Sequence, residues 1–507
     1  MSPCPKSPHW SLWTSFNSQM ETCFYCSPQG LTVVLVSATL ISAFGSSFQY
    51  GYNVAVVNPP SKSFYNQTYI DRNNQPMNEN LLTVSWSLTV SLFPLGGLFG
   101  SLLIVPLLVD KLGRKGILLV NNIFSIVPAI LMGTSKQSKS FEIIMISRFI
   151  VGLCAGVAAN VVPMYVGEIA PKRLRGGIGV VPQLFITIGI LFAQILGLRF
   201  LLANDDGWPL MLAMTGIPAI LQVILLPLLP ESPRFLLIQK GSIDKARAAL
   251  QRLRGYDNVE NEIEEMQLED QSEKADGLLT VKNLFTLKAL RWQLITVIML
   301  NMGQQLSGVN AVSHENDSCA NFTKIYLNLC CTQIFIVDAA GRKILLLIGF
   351  AICGLFSAVL TVALKLQVRI FPLLKDRTRV VTETRLCHDV TRSFREITPV
   401  GPIPYVVTTE LFRQSSRPAA FMVAGSVHWF CNFLVGIIFP FLVQGFGPYC
   451  FVIFSSICFL TFAYIFIFVP ETKNKTFQEI SQTMAKRNKV EVEEELDMSQ
   501  AEVKEKQ

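Results

Sequence analysis

The chain has few charged residues for its length. Asp, Glu, Lys and Arg make up 16% of its 507 residues, and the formal net charge is only +7. A soluble chain of this size normally divides into several domains with about 25% charged residues. No long basic run is present, so we predict no nucleic-acid partner. The composition argues against both a soluble enzyme and a nucleic-acid-binding protein.

The chain also lacks the motifs of common catalytic and metal sites. We find no phosphate-binding GxxxxGK[ST] loop, no HExxH and no nucleophile elbow. The CxxC at 23–26 has no partner pair at metal spacing. The histidines stand too far apart for a recognisable metal motif: His9, His314, His388 and His428. We therefore predict no enzyme activity, no cofactor and no metal.

Hydrophobic residues, in contrast, make up 50% of the chain and come in blocks of about 20 residues, each long enough to cross a bilayer. The first six predicted spans are 31–57, 84–109, 116–133, 143–166, 177–202 and 208–229. The later ones are 292–312, a weak short run at 324–337, then 344–366, 419–445 and 449–470. The N-terminus shows no signal peptide, so the first span would direct its own insertion. These blocks predict an all-α polytopic membrane protein.

Charged loops predict the orientation and the division of the chain. Lysines and arginines follow spans two and four, and a long polar segment follows span six, so that side should be cytosolic. Asn66, in a glycosylation sequon, then falls on the outside. The predicted parts are an N-terminal cytosolic segment (1–30), a six-helix bundle (31–230), a cytosolic helical linker (231–291), an incomplete C-terminal bundle (292–470) and a cytosolic tail (471–507).

Three short motifs occur twice, in the same order and at nearly the same offset. DKLGRK at 110–115 returns as DAAGRK at 338–343. Glu168 and Arg175 return, with the same spacing, as Glu410 and Arg417. PESPR at 230–234 returns as PETK at 470–473. Such a repeat predicts two six-helix bundles related by a pseudo-twofold axis, a transporter architecture that holds its substrate between the halves.

The repeated charges lie at the predicted cytosolic ends of the spans. We predict that they form ion pairs between helices of the two halves, which latch the inner ends together when closed. For single charges, the alternative is that they only fix topology and contact lipid headgroups.

Uncharged amides occur inside several spans, where lipid would penalise them. Amides both donate and accept hydrogen bonds, so amides on several helices suit a neutral polyhydroxyl solute. For Asn160 and Gln194, which stand alone, helix–helix hydrogen bonding is the favoured alternative. No Asp or Glu lies in 31–57, and a proton-coupled carrier needs a titratable group at membrane depth. This pattern favours passive transport.

Together these motifs resemble the facilitative hexose transporters of the major facilitator superfamily. The matching stretches are QYGYN (49–53), DKLGRK (110–115), Arg148 with the glycines of VGLCAG (151–156), GEIAPKRLRG (167–176), VPQLFITIGI (181–190), PESPR (230–234), GQQLSGVN (303–310), GPIP (401–404), TELFRQSSRPAA (409–420) and VPETK (469–473). Within this family, SSFQYGYNVAVVN (46–58) and GSVHWFCNF (425–433) are most similar to the intestinal-type fructose transporters.

The resemblance implies a major facilitator fold, uniport of a hexose by alternating access, and a plasma-membrane location that includes the apical surface. It implies sugar contacts at Tyr50, Gln183, Gln304, Gln305, Asn310, His428 and Trp429. It implies cytosolic gate salt bridges that use Arg114, Glu168, Arg175, Arg342, Glu410 and Arg417.

Two stretches depart from the family pattern. SHENDSCANFTK (313–324) stands where the family continues from GQQLSGVN with aromatic residues of the outer gate and a full span eight. The remaining run 324–337 is only about 21 Å long as a helix, too short for a span eight that crosses untilted. Residues 369–396 carry eleven charged side chains where span ten is expected, at a cost of roughly 2.5–3.5 kcal/mol each at a helix centre. Losing span ten, with or without span eight, would separate Arg342 from Glu410 across the membrane. The alternative function is a transport-incompetent relic, splice product or regulatory partner of an intact transporter.

Overall fold

The computed structural model describes residues 31–56, 61–171, 174–197, 201–202, 204, 207–276, 281–287, 290–307, 341–370, 403–412, 416–472 and 484. Within these residues every regular element is a helix. The unusual stretch at 313–324, the weak span at 324–337 and nearly all of 369–396 lie outside the described residues, as does the tail except for Glu471, Thr472 and Met484.

The first half of the chain forms one helical bundle. Its main helices are α1 (Val33–Ala55), α3 (Glu79–Phe99), α4 (Val105–Asn121), α5 (Ile123–Thr134), α6 (Phe141–Ile169) and α7 (Arg175–Leu196), completed by α8 (Trp208–Ala213) and α9 (Gly216–Leu225). The short α2 (Ser61–Asn73) lies between α1 and α3. A π-helical turn, Ala43–Phe48, interrupts α1 where polar residues begin.

The linker and the second half follow. The linker helices are α10 (Pro233–Ile238), α11 (Ile243–Arg254), α12 (Glu260–Asp276) and α13 (Val281–Thr286). The second bundle contains α14 (Arg291–Leu306), α15 (Arg342–Ile370), α16 (Ile403–Leu411), α17 (Arg417–Phe446) and α18 (Cys450–Phe468). In the described part of the chain, 8 helical runs are long and apolar enough to cross a membrane, and they contain nine of the predicted spans.

One of those runs, Glu79–Thr134, is two spans joined by a sharp turn. Ser101 and Asn121, on either side of the turn, both bond to neighbouring positions of α6, at Gly156 and Cys154. The chain therefore reverses between them. Gly113 makes the reversal possible, because its backbone (φ 82°, ψ 175°) is a conformation that side-chain-bearing residues rarely adopt.

The two halves meet along α3 and α17. Near one end, the Gln444 amide donates to the Thr83 hydroxyl at 3.4 Å. Further along, Gly436 faces Ser91 and Gly97 lies against the Trp429 ring. We call the end with Thr83 and Gln444 the outer end. The inner end carries Glu168 and Glu410, and its charge pattern predicts that it faces the cytosol.

The second bundle places its repeated charges at one end, which corrects the prediction that they would be separated. Arg342, at the start of α15, pairs with Glu410 at the end of α16 at 2.9 Å. The other end of α15 reaches the outer end, where Lys365 lies 5.1 Å from the centre of the Tyr449 ring. Thus α15 crosses the bundle, and both arginine and glutamate lie at the inner end.

The first linker helices dock firmly on the first bundle. Arg254, the last residue of α11, is buried and donates to the carbonyl of Ile169 at 2.8 Å and to the Glu262 carboxylate at 3.1 Å. The Thr32 hydroxyl, which caps α1, donates to the Leu253 carbonyl at 2.6 Å. Gly255 ends α11 in a left-handed conformation (φ 75°). These first linker helices are therefore fixed to the first half, whereas Leu284 of α13 belongs to the core of the second bundle.

Candidate functional site

A mixed aromatic and amide cluster joins the two halves near the middle of the bundle. The amide nitrogen Nε2 of Gln305, on α14, lies 2.9 Å from Nδ1 of His428 on α17. The neighbouring Trp429 is buried, and its ring centroid lies 5.5 Å from that of Tyr50 on α1 of the other half. Four of the predicted sugar contacts therefore come together from three helices and both halves.

The histidine orients the glutamine amide. An amide nitrogen can only donate, so in this arrangement the Gln305 amide donates and Nδ1 of His428 accepts. His428 is held in turn by an edge-on contact with Trp429, with ring centroids 5.5 Å apart. The pair offers fixed donor and acceptor directions beside an aromatic face, an arrangement suited to a sugar.

The remaining predicted sugar contacts are Gln304, Gln183 and Asn310. Gln304 is half-buried on α14, next to Gln305, and its main-chain carbonyl accepts from the Ser307 hydroxyl at 2.7 Å. Gln183 lies on α7 with an exposed side chain. Asn310 lies outside the described residues. These three assignments stay predictions.

Two residues of the cluster were not assigned to the site from the sequence. Phe93, on α3, has its ring centroid 6.1 Å from Trp429 and 6.5 Å from Tyr50. The Arg148 guanidinium lies 4.5 Å from the centre of the same ring and donates to the Asn53 carbonyl at 2.9 Å. Arg148 is only 2% exposed. An arginine inside an apolar span was the available signal, because such a charge is costly without a specific role.

Other polar residues in the spans are structural. The Asn160 amide donates to the Ser101 hydroxyl at 3.0 Å, which is the helix–helix bonding that its isolated position favoured. The Asn53 amide donates to the Thr215 hydroxyl at 2.7 Å. Such bonds hold the first bundle together and leave these side chains facing its interior.

The inner end of the first half carries a compact charged cluster. Arg114 donates to Glu168 from Nε at 3.0 Å and to the Gln239 side-chain carbonyl at 3.0 Å. The other carboxylate oxygen of Glu168 accepts from the Ser232 hydroxyl. Glu231 accepts from the main-chain N–H of Lys115 at 2.9 Å. We call these residues the first gate cluster.

The second half repeats this geometry. Arg342 donates to Glu410 from Nε at 2.9 Å, and the Thr472 hydroxyl donates to the other oxygen of Glu410 at 2.5 Å. Glu471 accepts from the main-chain N–H groups of Arg342 at 3.0 Å and Lys343 at 3.2 Å. We call these residues the second gate cluster. Structure thus confirms the repeat down to single hydrogen bonds.

The ion pairs differ from the prediction in one respect. Arg114–Glu168 and Arg342–Glu410 each lie within one half, whereas the sequence analysis predicted pairs between the halves. The spacing of a motif does not reveal which of several arginines approaches a given glutamate. The side chains of Arg175 and Arg417, which begin α7 and α17, lie outside the described part, so their gate roles stay predictions.

Sequence analysis also missed the function of the glutamates in PESPR and PETK. Glu231 and Glu471 each accept main-chain N–H groups of the turn that holds a glycine of positive φ, Gly113 (82°) or Gly341 (91°). A carboxylate satisfies these donors where no helical carbonyl can reach them. The paired occurrence of GRK and PE in both halves was the signal.

The predicted glycosylation site lies on α2. Asn66 is half-buried, and its side-chain carbonyl accepts from the main-chain N–H of Met77 at 3.0 Å. The neighbouring Tyr65 bonds to Thr89 of α3 at 2.9 Å, which places α2 at the outer end. Glycosylation of Asn66 stays a prediction.

Comparisons with known proteins identify the family. Residues 38–484 match the family model described as "Sugar (and other) transporter". The chain belongs to this family. It is 54% identical over 480 residues to solute carrier family 2, facilitated glucose transporter member 5 of Pongo abelii, which covers 91% of this chain and 94% of that protein.

Further relatives agree. Member 7 of the same solute carrier family, from Homo sapiens, is 48% identical over 483 residues and covers 92% of this chain and 93% of its own. The inward-open structure of the xylose transporter XylE from E. coli superposes with a TM-score of 0.70 at 23% identity, covering 89% of this chain and 99% of that one. This structural likeness shows that the fold is that of the major facilitator sugar transporters.

Proposed function

We propose that this protein carries a hexose, fructose in the first place, across the membrane by facilitated uniport. The observation that supports this most strongly is the cluster between the halves, where Gln305 and His428 form a polar pair beside the rings of Tyr50 and Trp429. Relatives at 54% and 48% identity are named facilitated glucose transporters. Their similarity extends over nearly the whole chain.

Alternating access follows from where the halves touch. The described contacts between α3 and α17 run from Thr83 at the outer end to Gly97 at the cluster, and α17 also touches the next turn, Gly100–Ile104. At the inner end, both described gate pairs stay within their own half. This arrangement corresponds to an inward-facing state, in which a sugar reaches the cluster from the inner end.

The same arrangement favours movement of each half as a rigid unit. Each gate cluster ties the helix ends of one half together and leaves the other half free to rock. Transport then needs only separation of α3 from α17 and approach of the inner ends. No chemical step on the sugar is required, so we propose a carrier without enzyme activity.

Uniport, rather than proton coupling, is proposed from α1. This helix lines the cluster through Tyr50 and contains no Asp or Glu along Val33–Ala55. A proton-coupled carrier needs a titratable carboxylate at membrane depth. We also propose that the protein lies in the plasma membrane, including the apical surface, with Asn66 glycosylated on the outside.

The test is uptake of labelled fructose and of labelled glucose into proteoliposomes that contain the purified full chain. We expect saturable fructose uptake, strongly reduced in Gln305→Ala and in Gln183→Ala. A relic or regulatory partner gives no uptake above empty liposomes although the protein is inserted, and that result would reject the proposal.

A further inference from the structure

Trp429 packs directly against the opposite half, at Gly97 of α3. A Cβ added at Gly97 would lie 2.5 Å from Cε3 and 2.6 Å from Cδ2 of the indole. Real Cβ atoms do not approach other atoms that closely, so the indole lies flat on the bare backbone of α3. Trp429 is 2% exposed, and the ring therefore has little room to move aside.

Phe93, one helical turn before Gly97, completes the contact. Its ring meets Trp429 at 78°, with centroids 6.1 Å apart, which is a favourable edge-on geometry. The Arg148 guanidinium lies 4.5 Å from the centre of the Phe93 ring and adds a cation–π attraction. Arg148 is anchored to the main chain at Asn53, so the Phe93 ring is held from behind.

We propose that Phe93 and Gly97 are positioning residues that form a seat for Trp429 and thereby close the outer end above the sugar site. This inference rests on the proposed function. Tyr50 packs on the same indole with centroids 5.5 Å apart, so the seat fixes a sugar-contacting ring and the contact between halves together. Separation of α3 from α17 must unseat Trp429. The seat therefore sets the balance between inward-facing and outward-facing states.

The test measures closure without transport. Cysteines replace Thr83 and Gln444, whose side chains touch at 3.4 Å, and a short bis-methanethiosulfonate joins them. A protease site inserted at 277–280 separates the halves, so cross-linked chains stay joined on a gel. Chains with only one of the two cysteines give the background from the native cysteines.

We expect Gly97→Ala to lower the cross-linking yield at least threefold, because the added methyl group displaces the indole. Trp429→Leu removes the seated indole and should lower the yield by itself, and in that background Gly97→Ala should cause no further loss. Gly179→Ala is the matched control, since a Cβ there meets nothing within 4 Å. Parent yield in Gly97→Ala, or an equal further loss when Gly97→Ala is added to Trp429→Leu, would overturn the proposal.

Transport kinetics supply the second readout. We expect Phe93→Leu to raise the KM for fructose entry several-fold more than it lowers kcat, because the sugar-contacting ring loses its orientation. An equal fall of both parameters in an otherwise well-folded variant would contradict a positioning role. If the parent does not transport but cross-linking responds as described, the seat stands and the proposed function fails. If the parent transports fructose but cross-linking does not respond to Gly97→Ala, the proposed function stands and the proposed seat is wrong.

Discussion

The two gate clusters share their geometry but differ in their surroundings. In the first, the side chains of Arg114 and Glu168 are 10% and 12% exposed; in the second, Arg342 and Glu410 are 16% and 23% exposed. In the first, Gln239 of the linker bonds to both Arg114 and Asp110. A duplicated motif therefore specifies the same bonds, while the neighbouring segments decide how deeply those bonds are buried.

The largest expected effect comes from removing a gate carboxylate. Glu168→Gln leaves the Arg114 guanidinium buried without its counter-charge, and we expect a loss of about 4 kcal/mol in the free energy of unfolding. We expect about 3 kcal/mol for Glu410→Gln, because its cluster is more exposed and water compensates part of the loss. Thermal unfolding of the purified variants in detergent measures both. A larger effect in the second cluster would contradict the comparison.

The second-largest effect is expected from replacing the glycines of the two turns, Gly113 and Gly341. Gly113→Ala combines a backbone conformation disfavoured for alanine with a Cβ 2.6 Å from the Glu231 carboxylate, and we expect a loss of about 3 kcal/mol. At Gly341 the corresponding contact, to Glu471, is 2.9 Å, and we expect about 2 kcal/mol. Gly179→Ala serves as the control that should leave the unfolding temperature unchanged. Equal losses of stability for Gly113→Ala and Gly341→Ala would show that the closer carboxylate contact at Gly113 has no energetic consequence.

A smaller effect is expected from the hydroxyl groups. Ser232 donates to Glu168 and also caps α10 by accepting from the Phe235 N–H, so Ser232→Ala should cost about 2 kcal/mol. Thr472 donates to Glu410, and Thr472→Val should cost about 1 kcal/mol. The same unfolding assay ranks them. A larger loss for Thr472→Val than for Ser232→Ala would show that capping of α10 by Ser232 does not stabilise the first gate cluster.

The smallest effect is expected at the outer end, where an ion pair is exposed. Arg72 and Glu142 lie 2.7 Å apart, with side chains 40% and 46% exposed. We expect Glu142→Gln to change the free energy of unfolding by less than about 1 kcal/mol, because water screens such a pair. An effect as large as that of Glu168→Gln would mean that burial does not explain the strength of the gate clusters.

Sequence patterns predicted the helices well because the bilayer allows few alternatives. A spanning segment must satisfy its backbone internally, so each apolar block of the right length becomes a helix. The turn at Gly113 was also readable, since DKLGRK interrupts two such blocks. Similarly, the amides of GQQ and the His-Trp pair of α17 pointed to a site that the structure brings together at Gln305 and His428.

Long-range pairing was less predictable. Nothing local to Glu168 indicates that it meets Arg114 of its own half, because the partners are 54 positions apart and other arginines lie as near in sequence. The predicted separation of Arg342 from Glu410 failed for a related reason. The prediction considered the cost of inserting each segment into the membrane separately. In the structure, α15, α16 and α18 pack around one core, and this packing places their inner ends together. Likewise, Phe93 belongs to the site only through its contacts in space.

The most direct test of alternating access between two halves is counterflow in proteoliposomes of the purified full chain. Vesicles loaded with unlabelled fructose are diluted into labelled fructose, and the internal label is followed over time. We predict a transient accumulation of label above its equilibrium level, which only a carrier that reorients with its sugar produces. A monotonic rise to equilibrium, or no entry of label above that of empty vesicles, would contradict the account.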